Sequence, residues 1–231
     1  MNSLTFLLRE CEKRFKTLRF RHANALDNQT LKKILPVFSY LFHPLFIPLF
    51  AVVLFFYTDE NYLSAAQKLV VLLQVLIMTV LIPIAFFFLL RTLGKIDTAM
   101  AKNVSQRKLP LILQVVLLVM LLRQSLPPDH IPELFFFFLG AIVTSIAALV
   151  AAYAAMKPSL HMAAVGAMLV FVIGLSFHNQ QNMIAIISGL LIATGLTASS
   201  RLQMEAHSYP ELVFGFLIGI VPQLALWHLW L

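Results

Sequence analysis

Residues 200–211 read SRLQMEAHSYPE and set Arg201, His207 and Glu211 at the mouth of an otherwise uncharged apolar segment. A guanidinium fits two phosphate oxygens at once through charge-assisted hydrogen bonds. A carboxylate four residues after a histidine on a helix shares its side, where it can orient one ring nitrogen and leave the other to attack. At a membrane boundary those groups suit nucleophilic chemistry on the phosphate of a lipid.

Two further polar segments carry residues of the same kind. KNVSQRKLP holds Lys102, Arg107 and Lys108 just before a long apolar run. Cations there act either as topological determinants and snorkelling side chains or as phosphate ligands. KPSLHM holds Lys157, Ser159 and His161, with Pro158 suited to a helix opening and Ser159 placed beside helix N–H groups that favour an anion. His161 alone reads first as an interfacial histidine. Its interest comes from a second histidine on the same face.

The elements that must position these residues are membrane helices. The chain is 231 residues long, 60% hydrophobic and 12% charged, with a mean hydropathy of +0.88. Soluble domains are only about 45–50% apolar. A bilayer core about 30 Å thick needs about 20 helical residues. Runs of that kind fall near 35–57, 69–91, 109–125, 133–156, 161–177, 182–199 and 211–230. The expected fold is an all-α integral membrane bundle of six to seven transmembrane helices, with a tail over 1–34 and a single domain over 35–231. The first span reads as a retained anchor, since no signal-peptide pattern precedes it. Pro44, Pro48 and Pro83 lie within spans and read as kinks.

Span parity brings the 91–109 loop, the Lys157–His161 turn and Arg201 to one face, together with the N-terminal tail. Of the 17 Lys and Arg residues, all but Lys68 and Arg123 fall on that face. The positive-inside rule puts such a face in the cytoplasm. The tail spaces Leu4, Leu7, Leu8, Cys11, Phe15 and Leu18 helically between basic residues. It reads either as an amphipathic segment on anionic lipid or as a topogenic anchor, and neither reading implies nucleic acid. Cys11 has no partner for an internal disulfide, since it is the chain's single cysteine. Trp227 and Trp230 read as an aromatic belt at the opposite interface.

Ser200, Arg201, five residues, His207, three residues and an acid resemble the third signature of the type 2 phosphatidic acid phosphatase superfamily. The family has aspartate where this chain has Glu211. Its second signature, PSGH, looks like Pro158, Ser159, Leu160 and His161, with leucine in place of glycine. Its first, a lysine six residues before an Arg-Pro pair, is echoed by Lys102, Arg107 and Pro110 at altered spacing. The resemblance covers roughly 40–225 and extends to a short, divergent bacterial branch, which implies a bacterial inner membrane.

The resemblance implies that His207 is the nucleophile, Glu211 its orienting carboxylate and His161 the general acid. Arg201, Arg107 and Lys102, with Ser159, would hold the phosphate of a lipid substrate among membrane lipids. No metal or other cofactor is implied, because arginines supply the charge that phosphoryl transfer requires. Three other readings stand beside it. One is a non-catalytic binder of lipid phosphate with the same fold, and another a transporter. The third is a zinc site of His161, His207 and Glu211, which the nearby cations oppose.

Overall fold

A computed structural model describes residues 34–58, 63–95 and 104–231. The basic tail with Cys11, the Asp59–Asn61 turn and Lys102 lie outside the described residues. All regular structure among the described residues is helical. Helix α1 covers 34–41 and α2 Ile47–Thr58; α3 spans Ala65–Thr92 and α4 Lys108–Ser125, the latter entered through a 3-10 turn at Val104–Arg107. Then follow α5 Pro132–Tyr153, α6 Leu160–His178, α7 Ile184–Gln203 and α8 Tyr209–Leu226. Six helices among the described residues are long and apolar enough to cross a membrane, so the protein is a helical integral membrane bundle.

The span expected over 35–57 is not one helix. Residues 42–46 leave the helical path between α1 and α2. Pro44 has no N–H, and its ring would collide with the carbonyl four residues back, while the residue before a proline is pushed toward extended backbone. Pro48, by contrast, is the second residue of α2, where a missing N–H costs nothing. The 12 residues of α2 reach only about 18 Å, and the break carries Ser39 and His43 into the bundle's polar end. Pro83 follows a π-helical turn at Ile77–Leu81, in which the Ile82 N–H bonds back to the Ile77 carbonyl. The wider turn accommodates the proline within one continuous α3.

Helix α6 is the axis of the bundle. Sixty-seven per cent of its membrane-length window is buried, against 44% or less for the other five. Its sequence is apolar all round, as a fully enclosed helix requires. Close approach of α8 comes from glycines one turn apart: Gly215 faces the backbone of Ser159, and Gly219 that of Ala163. In lipid, van der Waals packing at such small-residue contacts drives helix association. Polar bonds join α8 to α5: Gln223, fully buried, donates through Nε2 to the Phe137 carbonyl at 2.9 Å, and Thr144 donates to the Ile218 carbonyl at 3.2 Å. Phe137 and Phe171 stack at 4.5 Å inside the main core, which also holds Phe55, Leu118 and Leu175.

The contacts sort to two ends. At one, His178 Nε2 meets buried Glu133 at 3.1 Å and Gln181 Nε2 donates to the Thr58 carbonyl at 3.1 Å. Trp230 does not form an outer belt there. It is 6% exposed and folds inward against Phe171 and His178, where aromatic neighbours cover it. The other end gathers the three polar segments, as parity requires.

Candidate active site

Four connections meet at the polar end, and backbone ties hold them in register. Ser159 caps the N-terminus of α6, accepting from the Met162 N–H at 3.5 Å. Its own N–H donates to the Glu211 carbonyl at 3.0 Å, which fastens α6 to α8. Lys157 Nζ donates to the Ala206 carbonyl at 3.0 Å, and Arg107 Nη1 to the Pro158 carbonyl at 3.3 Å. These bonds recruit the start of α4 and the α7–α8 turn to the same place.

The α7–α8 turn aims the central residues. Glu205 takes a φ of 51°, the left-handed conformation that commonly ends a helix. The Ala206 N–H then returns to the Arg201 carbonyl at 3.1 Å. Ser208 starts α8, with Pro210 in its first turn and Glu211 at the third position. Glu211 Oε2 accepts from the Ser208 N–H at 3.0 Å, the reaching-back half of a capping box. The same oxygen meets His207 Nδ1 at 3.1 Å. One carboxylate thus caps a helix and fixes an imidazole. Because the partner is an acceptor, the ring proton sits on Nδ1 and the Nε2 lone pair is free.

His207 is 7% exposed. Burial first, then the charges of Arg107, Arg201 and Lys157, hold its pKa down to about 4 against the opposing pull of Glu211. The ring is therefore neutral at pH 7. Arg201, 6% exposed, completes the centre. Its Nη1 has only the Met204 sulfur at 4.0 Å, and its Nε is buried with no partner among the described residues. A guanidinium carries five donors, and buried polar groups are rarely left unsatisfied.

His161 is brought to the same cluster, within electrostatic reach of Arg201, His43 and His207. Its Nε2 lies 3.1 Å from the Ser39 carbonyl, to which it donates. Ser39 Oγ in turn lies 2.7 Å from Ser200 Oγ. The His43 ring stands edge-on to that of His161, with centroids 5.1 Å apart at 85°. Sequence reasoning left out Ser39 and His43. The signal was present in SYLFHP, where a histidine before a proline interrupts an apolar run.

Ser159 is committed to local structure as well as standing among the candidate phosphate ligands. It is fully buried, its hydroxyl caps α6, and its N–H belongs to the Glu211 carbonyl. These bonds fix the start of α6 against α8, and the hydroxyl proton of Ser159 is not used by either of them. Leu160, where the resembling family has glycine, packs with the small cluster of Leu111, Ala148 and Ala152. No three His, Cys, Asp or Glu side chains among the described residues are grouped to hold a metal ion. No protein-family model, no curated protein and no solved structure matches the chain.

Proposed function

We propose that the protein is a lipid phosphate phosphatase of the type 2 phosphatidic acid phosphatase kind, working in a bacterial inner membrane through a phosphohistidine intermediate. One observation carries the reading: a neutral His207, with Nδ1 committed to Glu211, stands beside a buried Arg201 guanidinium whose Nε has no partner among the described residues. A nucleophile with a free lone pair and a fixed cation able to clamp two oxygens are what phosphoryl transfer asks of a protein.

In the first step the Nε2 lone pair of His207 attacks phosphorus and the bond to the lipid oxygen breaks. The leaving oxygen takes the electron pair and a proton from His161, which must enter the step doubly protonated. Glu211 balances the charge that develops on His207. Water then attacks phosphorus and gives its proton to His161, and the P–N bond breaks. Neutral His207 and inorganic phosphate result.

The reading is tested by phosphate release from phosphatidic acid, phosphatidylglycerophosphate and a polyprenyl diphosphate, using purified protein in chelator. Release from at least one lipid is expected. Failure with every lipid, while lipid phosphate still binds, would instead establish a non-catalytic binder. Activity lost in chelator and restored by zinc would establish the metal site.

The electrostatics give a separate prediction. In histidine-labelled protein, the NMR titration of His207 is expected to have its midpoint near pH 4, below the ordinary value of about 6.5. Replacing Arg201 with methionine removes one lowering charge and moves the midpoint upward. Burial and the other cations remain, so the shift is partial. A midpoint unmoved by Arg201→Met would remove Arg201 from the electrostatics of the site. Because the folded-state value is lowered, the stability associated with neutral His207 is fully present above about pH 6.5. It is lost as pH falls through about 4.

A further inference from the structure

His43 belongs to the same cluster, and the reaction above makes no use of it. The turn at 42–46 leaves its Nδ1 3.3 Å from the Leu45 N–H, from which it accepts. That bond makes Nδ1 the lone-pair nitrogen and puts the ring proton on Nε2. Burial and the Arg201 charge hold its pKa down to about 4, so the ring is neutral at pH 7. The ring is only partly exposed, and the hydrogen bond it makes among the described residues is at Nδ1, which leaves Nε2–H with no acceptor there. The Nε2 proton of His161 is already held by the Ser39 carbonyl, and the Nδ1 proton of His207 by Glu211. Of the three imidazole protons gathered around Arg201, only that of His43 has no acceptor there.

We infer that His43 is a further substrate-binding residue that donates its Nε2–H to a phosphate oxygen beside Arg201, which makes α1 and the 42–46 turn part of the site. A neutral imidazole gives a directed hydrogen bond without transferring its proton, so the donor stays in place through both chemical steps. The inference rests on the phosphatase reading for its lipid substrate, but the donor itself can be probed with a bare oxyanion.

The experiment compares His43→Gln, which keeps an amide N–H near the Nε2 position, with His43→Phe, which keeps the ring and loses the donor. In the lipid assay kcat/KM is expected to fall about 10²-fold for His43→Phe, with His43→Gln closer to wild type. A residue that only packs against His161 would give the reverse order, and that order overturns the proposal. Should His43→Phe fail to fold, His43→Asn, whose amide cannot reach the Nε2 position, takes its place.

Orthovanadate titrated into the same detergent-solubilised proteins by calorimetry separates the two readings. If wild type binds vanadate, His43→Phe binds it more weakly and no lipid is hydrolysed, His43 stands and the phosphatase reading falls. If His43→Phe matches wild type in both assays, His43 falls alone. If wild type neither binds vanadate nor hydrolyses lipid, both fall.

Discussion

Replacing His207 with alanine is expected to lower phosphate release by on the order of 10⁴-fold or more, the scale on which removing a covalent nucleophile acts. The side chain lies just before the cap of α8, and its recorded hydrogen bond is to Glu211, which keeps the Ser208 N–H as a partner. The helix start therefore survives the substitution, and the stability cost is about 1–3 kcal/mol, one hydrogen bond plus the space left by a buried ring. Wild type mixed with radiolabelled substrate and quenched in alkali should trap phosphorus on the protein, and His207→Ala should not. A variant that keeps a tenth of wild-type turnover would show that the nucleophile lies elsewhere. The double use of Glu211 sharpens the experiment: Glu211→Gln weakens both the cap and the orientation of His207, so a loss there has two causes, whereas a loss in His207→Ala has one.

The long helices were legible because membrane spans are written in length and apolarity, and six of the expected spans have counterparts among the long helices. Parity then forecast which polar segments share an end, since it depends only on counting crossings. The first span was misread for a local reason: hydropathy over 35–57 is blind to what Pro44 does to the backbone next to His43. That one break brings Ser39 and His43 against His161, a placement that pattern spacing alone could not supply.

His207 and Glu211 were legible because their relation is helical and local. The occupation of Ser159 by a carbonyl from α8, and of His161 by a carbonyl from α1, were not legible. Both bonds join residues far apart in sequence, 52 positions for Ser159 and Glu211 (211 − 159) and 122 for His161 and Ser39. Leu160 shows the same limit from the other side. Read in the motif it stands where glycine would let the backbone approach an oxyanion, yet the fold gives its side chain a hydrophobic cluster of its own.

Gly219→Leu is expected to be the most destabilising substitution in α8. A Cβ at Gly219 would meet the carbonyl oxygen, the carbonyl carbon and the Cα of Ala163, all of them α6 backbone that cannot swing aside as a side chain can. The helices must separate, and overpacking on that scale costs about 3 kcal/mol or more. Separation would also act on the site, because Gly215, one turn nearer the polar end, lies against Ser159, whose N–H holds the Glu211 carbonyl. A displacement of about 1 Å there is enough to slow catalysis about 10²-fold. Gly195 has open space where its Cβ would be, so Gly195→Ala should leave stability within about 0.5 kcal/mol of wild type or raise it slightly. Thermal unfolding in detergent, read beside phosphate release, should therefore rank Gly219→Leu lowest, Gly219→Ala between and Gly195→Ala nearest wild type. If Gly219→Leu unfolds at the wild-type temperature, the α6–α8 contact does not hold the bundle together, and the positions of His207 and Glu211 relative to His161 must be maintained by the ties from Arg107, Lys157 and Ser39 instead.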